Sequence, residues 1–325
     1  MAAPSAGPGS MSETGDGKFE SISNGKMTWI DIIDPTRAQM EILARDYHFH
    51  PLDLDASLSE RQLTKVEDHQ DHFFLALHFP DQVGHGLIVS RQVSMFLGKD
   101  YLITIHPSEF KTVTAVFKSC RDYEKERSSF MRSPAYLAYM IIDRLVEGIY
   151  SILDNVQASL DDIGAVVFDE QKSSASTINA MRQQIAILRR IIYPLGLYLP
   201  DLAKAQNFSN EDLTIYFSDL RHKVGKASGT VEEMKEMVEI YKDTDFVISS
   251  NRTNTVLSVL TILFTLTIPA TVISSIYGMN VPLPGGLVTG PLEFWGPYTS
   301  LLFIFTAMLV PAIVMAVYFR RVGWF

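Results

Sequence analysis

Cysteine is almost absent. Cys120 stands alone among 325 residues, so no disulfide can close within the chain. A soluble portion with that usage fits a reducing compartment. Clustered basic charge is also missing. Lys and Arg number 28 against 37 Asp and Glu, for a formal net charge of −9. That excludes the basic footprint of a nucleic-acid binder and is compatible with cationic ligands. No glycine-rich phosphate loop is visible, so nothing supports coupling to a nucleoside triphosphate. The last absence is local. From Thr253 to Leu292 there is no Asp, Glu, Lys, Arg or His, and after Glu293 the chain is again uncharged from Phe294 to Phe319.

Those uncharged stretches hold two runs long enough to cross a bilayer, which takes about 20 apolar residues. They cover residues 253–276 and 298–319, with a loop over 277–297. A buried helical hairpin in a soluble core is the other reading, but soluble helices of this length carry a charged face. Neither run lies near residue 1, so neither reads as a signal peptide. Lys242 and Arg252 precede the first run, Arg320 and Arg321 follow the second, and the loop has no basic residue. The positive-inside rule then puts both termini in the cytoplasm.

The rest divides by pattern. Residues 1–25, opening "MAAPSAGPGSMSETGDG", read as a disordered tail or expression scar. Residues 26–132 mix strand and helix signals. "MTWIDII", "HFFLALHF", "LIVSRQVSMFLG" and "YLITIHP" read as strands, and "TRAQMEILARDYHF" has helical spacing. From 133 to 252 long helices take over, with Pro134 at a helix start and a bend expected near Pro194.

The last of these helices carries the most regular pattern. Ser209 is a candidate cap. Leu213, Phe217, Leu220, Val224, Ala227, Val231, Met234, Val238, Tyr241, Asp245 and Ile248 form an a/d seam broken once by Asp245. No stop signal separates it from the first apolar run. One helix from about Asn210 to Ile276 is expected, roughly 100 Å long at 1.5 Å per residue. Only part of it fits a bilayer, so the rest stands as a stalk.

The first run is apolar but not uniformly so. Asn254, Leu257, Thr261, Phe264, Ile268, Thr271, Ser275 and Gly278 recur at three or four residues on one face. Polar groups in a membrane helix face a partner or water, although Thr and Ser also bond back to their own helix. Two spans are too few to enclose a path. Either they are anchors, or several copies assemble around an axis. In the second case a ring of Asn280 carboxamides offers neutral oxygens to the water shell of Mg²⁺, an ion reluctant to dehydrate. Leu257, Leu260 and Ile268 supply apolar constrictions, and Pro269 a break in the hydrogen-bond ladder.

"IYGMN" ending the first of two C-terminal spans resembles the signature of the CorA family of magnesium transporters. "SSNRTNTVLSVLTILFTLTIPATVISSIYGMN" resembles that family's pore helix. "FHPLDLDASLSERQLTKVEDHQDHFFLALHF" and "VSMFLGKDYLITIHP" resemble its cytoplasmic domain. The resemblance implies an α/β cytoplasmic domain, a long stalk helix and two transmembrane helices in a funnel-shaped homopentameric channel of the inner cell membrane, both termini cytoplasmic. It implies contact with lipid, no enzymatic activity and no organic cofactor. Mg²⁺ is the implied cargo, with Co²⁺ or Ni²⁺ beside it and regulatory divalent ions between subunits. Gly278, Met279 and Asn280 match the selectivity motif, Asn254 a cytoplasmic polar ring, and Leu257 and Leu260 the gate. On the periodic face itself, Thr261, Ile268, Thr271 and Ser275 are expected to complete the lining.

Asp219 matches a regulatory stalk carboxylate. Its usual acidic partner falls at Ala56, which shifts that role to Asp55 or Asp53 or removes it. Two alternatives remain: a Zn²⁺ transporter of the same superfamily, whose middle motif residue is typically Val rather than Met279, and a non-conducting membrane-anchored coiled-coil sensor or scaffold. His48/His50 and His69/His72/His78 raise the question of zinc. They read as solvated or interface histidines, since no cysteine or compact ligand set joins them.

Overall fold

The computed structural model describes residues 19–59, 64–84, 86–167, 174–209, 211–279 and 299–323. They group into two compact units, one running through Asp243 and one from Thr244 to the C-terminal helix.

The first unit is built on a six-stranded sheet. Its strands are β1 (Glu20–Ser23), β2 (Thr28–Ile33), β3 (Lys65–Asp68), β4 (Phe73–Val83), β5 (Leu87–Leu97) and β6 (Tyr101–His106), in the order β1-β2-β6-β5-β4-β3. Only β2 and β6 run parallel. The β4–β5 hairpin turns through Gly84 and Gly86, at φ +55° and +90°, a backbone region that favours glycine. β1 corrects the expected tail over 1–25. Its backbone pairs with β2 and it buries Ile22. The small polar composition stops short of this strand, at Gly17.

Strand alternation divides the core between two faces. Phe73, Leu75, Leu77, Val93, Met95, Leu97 and Trp29 point to one, and Phe74, Ala76, Phe96, Ile103 and Ile105 to the other. The second face is covered by α1 (Arg37–Tyr47) and α2 (Pro51–Leu58). α1 opens with a reciprocal cap in which Thr36 Oγ1 accepts from Gln39 N at 3.3 Å and Thr36 N donates to Gln39 Oε1 at 2.9 Å. α2 opens on Pro51, with His50 Nδ1 accepting from Leu52 N.

The first face receives α3 (Lys111–Asp122), followed by α4 (Glu124–Phe130) and the long helices α5 (Pro134–Val167), α6 (Ala175–Leu202) and α7 (Thr214–Tyr277). Pro194 and Pro200 both lie within α6. The predicted seam of α7 is buried from Leu213 to Val238 in the same core as α5 and α6. Its cover thus comes from the chain's own helices. α7 starts slightly later than expected: Ser209 Oγ accepts from Glu211 N, and Asp212 Oδ1 accepts from Thr214 N.

The second unit holds the C-terminal part of α7, through Tyr277, and α8 (Thr299–Val322), which ends with Arg320 and Arg321. Among its described residues only Ile262 and Phe319 are buried. Both helices are long and apolar enough to cross a membrane.

Candidate ion pathway and metal-binding residues

On α7, Asn254, Leu257, Leu260, Thr261, Ile268, Thr271 and Ser275 fall within about 120° of the circumference, at 3.6 residues per turn. All seven are exposed on the single chain, Leu257 and Ile268 by more than half. So much bare apolar surface needs lipid or further protein to cover it.

The threonines show what their hydroxyls do. Thr261 Oγ1 donates to Leu257 O at 2.7 Å and Thr271 Oγ1 to Thr267 O at 2.9 Å. Off this face, Thr255 bonds to Asn251 O in the same way at 2.9 Å. Back-bonding spends the only proton of each hydroxyl and leaves its oxygen as an acceptor. The water shell of a cation, which presents hydrogens outward, needs such acceptors. Pro269 lies inside α7 and gives no N–H to the carbonyl one turn earlier. At the helix end Gly278 N donates to Ser274 O at 2.9 Å. A Cβ on Gly278 would come within 3.2 Å of that oxygen. Met279 follows. Asn280 lies outside the described residues, as does most of the expected loop over 277–297.

The stalk carboxylate Asp219 sits on the exposed side of α7, one turn before Lys223, whose Nζ is 3.2 Å from Asp219 Oδ2 and 2.6 Å from Asp143 Oδ1 on α5. The Asp143 hydrogen bond raises Lys223 above the ordinary lysine range, against a smaller opposing effect of burial. Of the other two candidates, Asp55 is exposed on α2. Asp53 is fully buried: its Oδ1 takes Lys65 Nζ at 2.8 Å and its Oδ2 lies 2.9 Å from His69 Nε2. Ala56 is buried, with its carbonyl accepting from Gln92 Nε2.

The histidines separate into different settings. His106 Nε2 lies 3.3 Å from Asp31 Oδ1, and both side chains are almost wholly buried. Burial opposes its charge, but the hydrogen bond and charge of Asp31 outweigh it, so His106 is raised above the usual histidine value. His78 is pushed the other way by burial. His69 and His72, by contrast, come together with Asp53. The sequence reading missed this grouping. Its signal was the pair of histidines flanking Gln70-Asp71, but Asp53 lies 16 residues upstream of His69 and joins only through the fold.

A family model of CorA-like Mg²⁺ transporter proteins matches residues 24–321. A cobalt/magnesium transport protein of Thermotoga maritima is 29% identical over 304 residues, which cover 91% of this chain and 83% of the relative. The complete structure of a CorA magnesium transporter from Methanocaldococcus jannaschii matches with a TM-score of 0.77 at 21% identity, over 98% of this chain and 97% of that one. The cytoplasmic domain of ZntB from Vibrio parahaemolyticus matches with a TM-score of 0.56 at 16% identity, over 70% of this chain and 88% of that one. At these identities the two structural likenesses establish the fold alone. The family model spans both units, the sheet and the two apolar helices together, and the chain belongs to the CorA-like Mg²⁺ transporter family.

Proposed function

We propose that several copies of the chain, five by analogy with the family resemblance, set the Asn254–Gly278 face of α7 around an axis and pass hydrated divalent cations along it. Mg²⁺ is the preferred cargo, with Co²⁺ and Ni²⁺ following. One observation carries the reading: an exposed helix face with no charge, on which back-bonded hydroxyl oxygens alternate with leucine and isoleucine. Acceptors without net charge hold a hydrated ion weakly enough to release it, and the apolar rings at Leu257, Leu260 and Ile268 close the path by dewetting. Gly278, Met279 and Asn280 form the outer mouth.

Both termini lie in the cytoplasm, where Arg320 and Arg321 are retained beside the membrane. The membrane potential drives uptake. Two charges crossing 100 mV yield about 4.6 kcal/mol. Asp219 serves as the regulatory carboxylate between neighbouring copies, and divalent ions there favour the closed state.

Purified protein in liposomes tests this with matched gradients of Mg²⁺, Co²⁺, Ni²⁺ and Zn²⁺. The expected order places Mg²⁺ first and Zn²⁺ last, and Asn280→Ala reduces or levels the order. Zn²⁺ flux above Mg²⁺ flux favours the zinc-transporter reading. An Asn280→Ala variant indistinguishable from wild type removes Asn280 from the filter.

A further inference from the structure

We propose that the α/β unit carries its own site for a borderline divalent metal of the Zn²⁺, Co²⁺ and Ni²⁺ class. Its ligands are the Asp53 carboxylate, His69 Nε2 and His72 Nε2, with Glu67 beside them. Among the described residues these three form the one group of three metal-ligating side chains brought together, with one ligand atom from each, an imidazole nitrogen or a carboxylate oxygen, within 4.8 Å of the others. The backbone explains why. His69 N donates to His72 O at 2.9 Å, closing a two-residue turn at Gln70-Asp71 between β3 and β4. Residues flanking such a turn face each other, and the two rings stack at 4.6 Å between centroids. Asp53, in the first turn of α2, reaches them from the neighbouring layer.

The surroundings fit a metal. Asp53 is fully buried, and Lys65 holds its Oδ1 at 2.8 Å, so Oδ2 is the oxygen turned to the histidines. His72 is 3% exposed. Its Nδ1 pairs with Asp71 Oδ1 at 2.8 Å, and its buried Nε2 has no hydrogen-bond partner. A carboxylate on the outer nitrogen is the arrangement that fixes a metal-binding imidazole and its tautomer. An orphaned buried nitrogen is costly and is satisfied by a cation. Glu67 Oε2 lies 3.5 Å from His69 Nε2.

Three carboxylates, Asp53, Glu67 and Asp71, stand against one ammonium, Lys65. With neutral imidazoles the local charge is −3 + 1 = −2, which one divalent ion balances. Ligands about 2.0–2.1 Å from a tetrahedral ion stand about 3.3 Å apart. A small turn of the two rings therefore closes the set. Two imidazoles and a carboxylate select zinc-like ions over Mg²⁺, which prefers oxygen and keeps its water. The bound ion would tie the edge hairpin β3–β4 to α2, and this assignment holds whatever ion the apolar helices conduct.

Co²⁺ titration of the purified full chain, in detergent with millimolar Mg²⁺ to fill hard-ion sites, reads the site by visible absorption and by calorimetry. One equivalent of Co²⁺ per chain is expected, with the absorption of a nitrogen-ligated ion, displaced by Zn²⁺. His69→Gln and His72→Gln abolish it. Asp71→Ala, on an exposed side chain that touches no metal, weakens it on the order of ten- to hundred-fold. Asp219→Ala leaves it intact. The proposal is overturned if wild type shows no Mg²⁺-resistant equivalent, or if the histidine variants keep it. Because His72 is buried, His69→Gln with an unchanged metal-free melting temperature serves as the variant free of folding effects.

Discussion

Asp219 Oδ2 lies 3.2 Å from Lys223 Nζ, one turn apart on α7, so the stalk carboxylate already has a tethered cation. A divalent ion at the proposed regulatory site would compete with this ammonium, and Ala56 offers it no second carboxylate. If Asp219 is the proposed regulatory carboxylate, Lys223→Met shifts the midpoint of the proposed Mg²⁺-dependent closure to lower Mg²⁺. Asp219→Ala weakens it. The same Lys223→Met leaves Asp143, buried on α5, without its ammonium at 2.6 Å, at a cost of about 1–3 kcal/mol of stability. Closure measured as protease protection against Mg²⁺ concentration checks the pair. Identical curves for Asp219→Ala and wild type place the sensor elsewhere.

The hydroxyls on the proposed pore face allow a controlled comparison. Thr271→Val and Thr255→Val each delete the same kind of bond, to Thr267 O and Asn251 O, both at 2.9 Å. Thr255 lies about 160° around the helix from Thr271. Flux falls several-fold for Thr271→Val and stays within two-fold for Thr255→Val, as measured by uptake in liposomes. Equal effects would mean that helix integrity, not the facing oxygen, sets the rate.

His106 and Asp31 give the soluble unit a pH dependence. The folded-state value of His106 is raised above its unfolded value. The folded protein therefore holds this proton more tightly than the unfolded chain. The associated stability is fully present below the ordinary histidine value near 6.5 and is lost as pH rises through the raised folded value. The unfolding temperature of the detergent-solubilised chain falls across that window, and His106→Gln flattens the fall. Thr104 ties into the same group, accepting from Trp29 Nε1 at 3.0 Å and donating to Asp31 Oδ1 at 2.5 Å. Thr104→Val orphans a buried indole N–H and costs about 1–3 kcal/mol.

Much of this architecture is legible in the sequence. Four strands show as β-branched and aromatic runs because both faces of the sheet are buried, and the α7 seam shows because its 3.5-residue period persists from Leu213 to Val238. The uncharged face of the first span shows for the same reason, as a sustained period. What stays hidden depends on contacts distant in sequence. β1 is short and exists through its pairing with β2. The Asp53–His69–His72 group joins a helix to a hairpin turn, and no spacing rule links them. Lys223 reads as a solvated stalk lysine until α5 brings Asp143 beside it.

The central claim is that the uncharged face of α7 passes Mg²⁺ down its electrochemical gradient without another energy source. The most direct measurement is Mg²⁺ entry into proteoliposomes holding only this chain, read with an entrapped indicator while the membrane potential is stepped. The account predicts entry without nucleotide that grows as the interior is made more negative. No entry at any potential, with the protein folded and inserted, would contradict it.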